Sequence, residues 1–533
     1  MVKPTAAAGT LGRTSICLIL CGIFGTATLL PLFWVQIPPL VDYPNHLARM
    51  WILVHRTEIP ELAVNYTVNW RIVPYLAMDL VVAAFSQVMP VEQAGRTFIA
   101  LTILALVGGT ISLYRTLHGR WGVWPIWSVL FVYNAAMFWG FLYCLFATGV
   151  YLFAFSGWVA TRRWRAGPRI LTFSAVASVL VLLHLFAFGL YALSVGSYEL
   201  AGRISGRRLS LSSLTSLCAL ALQFVPAVFL WYASLKQGGF TFTAYGDLGS
   251  KFYALISPFI FGYEPAVFDR FAALTTSSFL IFAIATRSLK LVPEMRLPLA
   301  AMIVVSLIMP NYASGSWSAD IRLPVTLPFV IIASTNFEAP RRVLVSIAGA
   351  ALLAFGLRIW SVSQTWRDYD RLFSEFRTAS AVITPGARLL IVEAPIAEQN
   401  RRLPGVPTGF AKLQPVAFIH MGALAVLDRA AFFPYLFTGW TTVAPTPRNE
   451  PVAQVVAVPM TPEELVMSAD PEQAKTLDTS PNFLGERPYG RNWPETFDFV
   501  LWMDFGGARK PDITQLLPLK TGSFFNIYRI VRH

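Results

Sequence analysis

Residues 97–114 read TFIALTILALVGGTISLY, and two arginines, Arg115 and Arg120, follow them. An α-helix rises about 1.5 Å per residue, so a run of about 20 apolar residues crosses the hydrocarbon core of a bilayer. The run at 97–114 approaches that length and contains no charged residue. It predicts a transmembrane helix that ends in a basic turn.

Further apolar runs of this kind precede residue 364. Another stretch, 74–90, is short, is bounded by two prolines and carries Asp79, so we expect an interfacial helix on the membrane surface there. The sequence thus predicts a polytopic α-helical membrane protein with spans at 15–37, 97–114, 121–138, 140–160, 170–183, 185–200, 211–233, 271–286, 297–310, 323–336 and 343–362. The 31 residues at 170–200 form either two short helices or one long tilted helix, and the orientation below requires two.

The composition excludes an ordinary soluble enzyme. Hydrophobic residues make up 55% of the chain and charged residues 13%, about half the charged fraction of a typical soluble domain. The net charge of +13 lies entirely in residues 1–363, where 25 basic residues are scattered between the apolar runs. Scattered charge of this kind gives no nucleic-acid face. All four cysteines lie in apolar runs, so no disulfide framework or metal cluster is expected.

The basic residues also indicate an orientation, because cytoplasmic loops carry an excess of Lys and Arg. With the N-terminus inside, 16 of those 25 basic residues fall in inner loops. We therefore expect a transmembrane domain at 1–363, with a long outer loop at 38–96, and an extracytoplasmic domain at 364–533. The alternative is that 74–90 is itself a span, which would reverse the sidedness of everything after it. The arginine clusters at 162–169 and 203–208 would then lie outside, against the expected bias.

The C-terminal segment alternates between predicted helices and strands, which is typical of a small α/β domain. The predicted helices are WRDYDRLFSEFRTASAVI and TPEELVMSADPEQA, and the predicted strands are ARLLIVEAP, VAQVVAVPM, FDFVLWMDF and FFNIYRIVR. A polar and aromatic loop, NFLGERPYGRNWPE, either binds sugar or simply connects two elements.

Two residues at the start of the first outer loop are candidate catalytic groups. The loop begins PPLVDYPNHLARMW, which places Asp42 and His46 just after the first predicted span. Its prolines stop that helix and keep the backbone extended. The alternative is that Asp42 or Asn45 only caps a helix that begins near His46.

A second group of candidates lies near the other outer segments. Asp320 and Arg322 stand at the mouth of the span 323–336, and the guanidinium of Arg322 suits a lipid phosphate. The alternatives are a structural Asp320–Arg322 ion pair and an Arg322 side chain that reaches the lipid headgroups. Lys251 is a basic candidate in the loop 234–270, and His184 lies at the predicted outer boundary. The acids of that loop are Asp247, Glu264 and Asp269.

Three segments resemble the GT-C superfamily of membrane glycosyltransferases, in particular the bacterial relatives of protein O-mannosyltransferases and lipid A aminoarabinose transferases. They are RTFIALTILALVGGTISLYRTLHGRWG, LLHLFAFGLYAL and IRLPVTLPFVIIAS, and the resemblance covers about residues 10–362. The superfamily often carries two acids in its first loop, whereas this chain offers Asp42 alone. No cofactor is therefore expected, and a divalent metal stays an open alternative.

The resemblance implies an enzyme that moves a sugar from a polyprenyl-phosphate donor to a hydroxyl of a glycan, lipid or protein acceptor, with inversion. It implies Asp42 as general base and Arg322 as the cation at the donor phosphate, with His46 as a second candidate for that cation. Asp320, Lys251 and His184 are the further residues of the phosphate site. It also implies the bacterial inner membrane, a cytoplasmic N-terminus, a periplasmic C-terminal domain and membrane lipids as partners. The alternative functions are a glycolipid transporter or flippase and a membrane-anchored assembly module without catalysis.

Overall fold

The fold was analysed in a computed structural model. It describes residues 6–204, 211–235, 243–260, 267–313, 316–394, 415–438, 441–453, 459–469, 492–505 and 513–532. These residues form two compact units. The first unit draws on 1–33, 72–78 and 97–362, and the second on 34–71, 79–96 and 363–533.

The first unit is built almost wholly from apolar α-helices. Two helices, Val91–His118 and Arg341–Ala379, contribute residues to both units. The α-helices within the first unit are Ala6–Thr28, Leu30–Phe33, Ala135–Trp139, Leu142–Ala160, Ala166–Leu183, Leu185–Ile204, Leu211–Ala221, Val225–Leu235, Leu248–Ile256, Val267–Ala285, Arg296–Ile308 and Arg322–Ser334. Short antiparallel pairs join Thr243–Ala244 to Tyr312–Ala313 and Leu289–Leu291 to Thr335–Phe337.

Membrane character is carried by five helical segments of the described chain that are long and apolar enough to cross a bilayer. They are Val91–His118, Leu142–Ala160, Ala166–Leu183, Thr215–Leu235 and Arg341–Val382, and Thr14–Thr28 and Ala272–Ala285 are shorter apolar helices. The chain is therefore a helical membrane-type protein. The count of eleven spans stays a prediction.

The predicted span at 121–138 is not one continuous helix. A 3-10 helix covers Trp124–Phe131, and a separate α-helix covers Ala135–Trp139. The break has a local cause, because the side chain of Asn134 accepts a hydrogen bond from the backbone N–H of Met137 and so caps the second helix. Pro125, which has no N–H to donate, lies at the start of the first.

The run 170–200 forms two helices, as one of the two alternatives expected. Ala166–Leu183 ends at His184, whose backbone is extended at φ −172° and ψ 125°, and Leu185–Ile204 follows. The junction places the His184 side chain between the two helix ends, where it is 4% exposed.

The second unit contains a four-stranded sheet. Leu389–Glu393 pairs in parallel with Phe499–Met503, with Leu389 opposite Phe499. Phe525–Ile530 pairs antiparallel with Phe499–Met503 and with Leu516–Thr521. Three strands thus form where the sequence predicts them. The helices of this unit are Tyr43–His55, Pro60–Asn65, Leu424–Arg429, Pro462–Ser468 and Trp493–Thr496, and the helix Ala77–Phe85 starts in the first unit. Residues 454–458 and 470–491, within the predicted strand VAQVVAVPM, the second predicted helix and the predicted loop, lie outside the described residues.

Most of the predicted outer loop 38–96 folds together with the C-terminal segment inside the second unit. Tyr66–Val68 pairs antiparallel with Val443–Pro445. The amide of Asn65 donates to the backbone carbonyls of Gly386 and Ala430. Residues that lie more than 300 positions apart in sequence therefore share one core. The assignment of one domain to the membrane and one to the periplasm stays a prediction.

The stretch 74–90 forms a helix of only nine residues, Ala77–Phe85. Its acid, Asp79, is completely buried and accepts two hydrogen bonds from Nη2 of Arg49, both 3.1 Å long. The hydroxyl of Thr442 donates a third, 2.6 Å long. The charge that made this stretch ambiguous in the sequence is thus balanced inside the second unit.

Candidate functional site

Asp42 precedes the helix Tyr43–His55, and Pro44 lies in the first turn of that helix. The backbone of Asp42 is helical (φ −81°, ψ −11°), and its side chain makes no capping hydrogen bond. Asn45 does not cap either, because it lies inside the helix and its amide bonds elsewhere. The capping interpretation of both residues is therefore wrong. The side chain of Asp42 is 20% exposed, so it is accessible to a ligand.

A titratable side chain, His420, lies beside this carboxylate. Its Nε2 lies 3.5 Å from Oδ1 of Asp42. Its Nδ1 lies 3.0 Å from Nδ2 of Asn45, which also donates to the backbone carbonyl of Tyr435 at 2.7 Å. The side chain of His420 is 3% exposed. An acid, an imidazole and an amide thus lie in a row, and Asp42 is the most exposed of the three.

His46 lies on the same helix, and its ring packs against Phe437 at 5.3 Å between centroids. The other ring on Phe437 is that of His420, at 5.0 Å. His46 is 8% exposed. His46 thus packs on the aromatic ring that also contacts His420, and it supports the Asp42 cluster (Asp42, Asn45 and His420) in this way.

Sequence reasoning identified Asp42 and His46 but missed His420. Residues 45 and 420 are 375 positions apart. His420 also lies in a part of the chain that carried no motif. Only six histidines occur in the whole sequence, and this scarcity is the one signal that could have drawn attention to it.

Arg322 starts the helix Arg322–Ser334 in the first unit and is 7% exposed. Its guanidinium makes only long contacts, with the carbonyl of Trp317 at 3.4 Å and with Nε2 of His184 at 3.4 Å. It also lies over the ring of Phe141, 5.1 Å from the centroid. Among the described residues, no carboxylate forms an ion pair with it and its Nε has no hydrogen-bond acceptor. Arg322 is thus a buried cation for which the described part of the chain provides no counter-ion.

The expected alternative of an Asp320–Arg322 pair is wrong within the described chain. Oδ2 of Asp320 lies 3.5 Å from Nζ of Lys251, and Oδ1 accepts a hydrogen bond of 3.2 Å from the amide of Asn311. Burial raises the pKa of Asp320, and the Lys251 ammonium and the Asn311 amide limit that rise. Lys251 is therefore the counter-ion of Asp320, and Asp320 does not neutralise Arg322.

His184 presents a donor to Arg322. The backbone N–H of Phe186 donates to Nδ1 of His184 at 3.1 Å, so Nδ1 carries no proton. At this junction between two helices, burial and the guanidinium of Arg322 lower the pKa of His184, so the ring is neutral. Its single proton then sits on Nε2, which faces Nη1 of Arg322 at 3.4 Å. Two hydrogen-bond donors therefore lie side by side, 3.4 Å apart.

The six predicted residues thus fall into two groups. Arg322, Asp320, Lys251 and His184 gather in the first unit, while Asp42 and His46 lie in the second. Of the other acids of the loop 234–270, Asp247 caps the helix Leu248–Ile256, Asp269 is buried, and Glu264 lies outside the described residues.

The second unit also has a polar pocket of about 270 Å³. Its lining includes Asn69, Arg71, Thr438 and Glu450. Thr438 follows Phe437, whose ring contacts both histidines of the Asp42 cluster. Hydroxyl, amide and charged groups of this kind suit the hydroxyls of a sugar.

No group of three or more His, Cys, Asp or Glu side chains within the described ranges has the geometry of a metal site. No protein-family model matches the sequence, and the search of curated proteins found no match. The likeness to GT-C enzymes therefore rests on the sequence segments alone.

Proposed function

We propose that this protein is a membrane glycosyltransferase that transfers a sugar from a polyprenyl-phosphate donor to an acceptor hydroxyl. Asp42 acts as general base, and Arg322 with His184 binds the donor phosphate. Asp320 and Lys251 neutralise each other beside that phosphate site. No cofactor is part of the proposal.

The observation that carries the proposal is the buried guanidinium of Arg322. Placing a cation in a low-dielectric interior costs several kcal/mol unless an anion or several acceptors compensate it. Here the adjacent imidazole adds a second donor instead of an acceptor. An anionic oxygen would satisfy both donors, and a phosphate offers three such oxygens in a geometry that a guanidinium matches.

A phosphate leaving group also explains why such donors would be useful. In glycosyl transfer the sugar–phosphate bond breaks, and negative charge develops on the departing phosphate. Donors fixed at that position before the reaction lower the barrier. A lipid-linked phosphate further fits a chain with membrane-length apolar helices.

Asp42 suits the role of base for a separate reason. It is a partly exposed carboxylate that neither caps its helix nor pairs with a described Arg or Lys. An ionised carboxylate can accept the proton of a hydroxyl as that oxygen attacks the anomeric carbon. The polar pocket near Thr438 is the candidate site for the acceptor sugar.

The test is a transfer assay on the purified full chain in lipid. The probes are polyprenyl-phosphate-linked sugars, one hexose, one N-acetylhexosamine and one pentose, and the readout is release of the polyprenyl phosphate. Asp42→Asn keeps the shape of the side chain and removes the base, so we expect release to fall at least about a hundredfold. Asp247→Asn is the matched control, because Asp247 also precedes a helix and Asn caps about as well as Asp.

Release at the wild-type rate in Asp42→Asn would overturn the assignment of the base. If the wild type binds polyprenyl phosphate but processes none of the three donors, and instead moves a fluorescent glycolipid across vesicles, the transporter alternative is correct. Reporter fusions after residues 80 and 118 test the location. The inner-membrane orientation proposed here requires an outer reporter at 80 and an inner one at 118.

A further inference from the structure

The amide of Asn45 has one orientation that satisfies its neighbours. The backbone N–H of Phe437 donates to Oδ1 of Asn45 at 2.9 Å, and the carbonyl of Tyr435 accepts from Nδ2 at 2.7 Å. If the amide were flipped, its nitrogen would face the N–H of Phe437 and its oxygen would face the carbonyl of Tyr435, so neither hydrogen bond could form. Nδ2 is therefore the atom that lies 3.0 Å from Nδ1 of His420.

This orientation fixes the tautomer of His420. An amide nitrogen only donates, so Nδ1 of His420 is the acceptor and carries no proton. A neutral imidazole then holds its proton on Nε2. That nitrogen lies 3.5 Å from Oδ1 of Asp42. Because the ring is buried, little water competes for the N–H.

We infer that His420 is a positioning residue for Asp42, held by Asn45 as the Nε2–H tautomer. The inference rests on the proposed function, because it takes Asp42 as the base. The N–H of His420 orients the carboxylate through Oδ1 and leaves Oδ2 for the acceptor. His420 itself neither gains nor loses a proton.

The transfer step balances without any further group. The acceptor O–H bond breaks, and its proton goes to Oδ2 of Asp42. The acceptor oxygen forms a bond to the anomeric carbon, while the bond from that carbon to the phosphate oxygen breaks and its electron pair leaves with the phosphate.

The tautomer can be measured without any activity. Magic-angle-spinning NMR of the full chain, labelled with 15N-histidine and reconstituted in lipid, separates protonated from unprotonated ring nitrogens. His420→Gln assigns the signal among the six histidines. At neutral pH we expect a protonated Nε2 and an unprotonated Nδ1. A protonated Nδ1 in the wild type would overturn the inference. In Asn45→Asp the new carboxylate accepts from Nδ1, so the proton should move there.

Kinetics give the second readout. His420→Phe removes the N–H, and we expect kcat to fall about tenfold to a hundredfold with the donor KM unchanged. His420→Gln keeps an N–H donor and should recover most of the rate. His55→Phe is the matched control, because His55 ends the helix that Asp42 precedes and its Nδ1 lies 2.8 Å from Oε2 of Glu58.

The two proposals fail in different ways. If Asp42→Asn still transfers sugar, the proposed base is wrong, whatever the tautomer of His420. If Asp42→Asn is inactive and His420→Phe is fully active, only the positioning role is wrong. Equal losses of kcat in His420→Phe and His420→Gln also contradict the positioning role, because the N–H donor that glutamine keeps would then have no effect on the rate. Should His420→Phe fail to fold, His420→Gln and the 15N measurement still decide.

Discussion

Nζ of Lys251 lies 3.5 Å from Oδ2 of Asp320, so the acid two residues before Arg322 is already paired with a lysine. The sequence suggested that Asp320 and Arg322 could neutralise each other. In the structure the acid has a different cation, and no described carboxylate balances the arginine. Among the described residues the arginine therefore has no counter-ion, and in the proposed function the donor phosphate takes that place.

The first prediction concerns this cation. Arg322→Gln removes the charge, and we expect the KM for a polyprenyl-phosphate sugar to rise about tenfold to a hundredfold, as for loss of a charged hydrogen bond. Arg322→Lys keeps the charge but loses the forked donors, so an intermediate value is expected. Thermal shifts in detergent check folding. Since removing an unbalanced buried cation relieves a cost, Arg322→Gln should melt no lower than the wild type.

A lower melting temperature together with an unchanged KM would assign Arg322 a structural role. Lys251→Met is the comparison variant. It leaves Asp320 buried without its cation, and Asp320 already has a pKa that burial raises. We expect that variant to lose stability at neutral pH, where the carboxyl is ionised, and to lose less near pH 4.

The second prediction uses the end of the parallel strand Leu389–Glu393. Burial raises the pKa of Glu393 to about 7, whereas the unfolded chain has a glutamate pKa of about 4.3. The folded protein thus binds the proton more tightly. The stability from this group is fully present below about pH 4 and is lost as the pH rises through about 7.

Glu393→Gln should therefore be more stable than the wild type at pH 8, by roughly 1–3 kcal/mol, and equal to it at pH 4. Melting temperatures at the two pH values measure the difference. The control is Glu463→Gln, which changes an exposed glutamate in the helix Pro462–Ser468. It should shift the melting temperature by the same amount at pH 4 and pH 8. A Glu393→Gln curve parallel to that of the wild type would show that burial does not raise the pKa of this half-buried glutamate.

How far the sequence predicts this fold depends on the range of the interaction. Local rules were enough for the helices on either side of His184 and for the strand Leu389–Glu393. The run 121–138 was predicted as one helix from its hydropathy, which does not register that Asn134 caps a separate helix within it. The candidate site was half predictable. Asp42, Arg322 and His184 stand out as polar residues beside apolar runs, whereas His420 is brought to Asp42 by tertiary contacts that no local pattern records.

The third prediction tests the buried acid of the helix Ala77–Phe85. Asp79→Leu leaves Arg49 with a large part of its charge uncompensated, so we expect a loss of about 3–5 kcal/mol. The double variant Arg49→Met with Asp79→Leu should recover most of that loss, because both charges of the pair are then removed. Thr442→Val isolates the 2.6 Å hydrogen bond and should cost about 1–3 kcal/mol. Thermal unfolding in detergent gives all three values. If the double variant is less stable than Asp79→Leu, the pair does more than balance charge.

The fourth prediction concerns the contact between the helices Val91–His118 and Leu142–Ala160 in the first unit. A Cβ placed on Gly149 would lie 2.6 Å from Cβ and 2.7 Å from the carbonyl carbon of Ala105, so backbone would have to move. Small residues allow such close approach between apolar helices, which gain no hydrophobic free energy from packing in lipid. We expect Gly149→Ala to cost about 1–3 kcal/mol, the usual penalty of overpacking.

Gly157, on the same helix, provides the matched control. A Cβ there would lie 3.6 Å from the ring of Phe173, an ordinary contact. Alanine favours a helix over glycine by about 1 kcal/mol, so Gly157→Ala should be neutral or slightly stabilising. The two variants make the same chemical change in one helix and differ only in the space available. Equal melting temperatures for Gly149→Ala and Gly157→Ala would mean that the two helices do not pack this closely in the membrane.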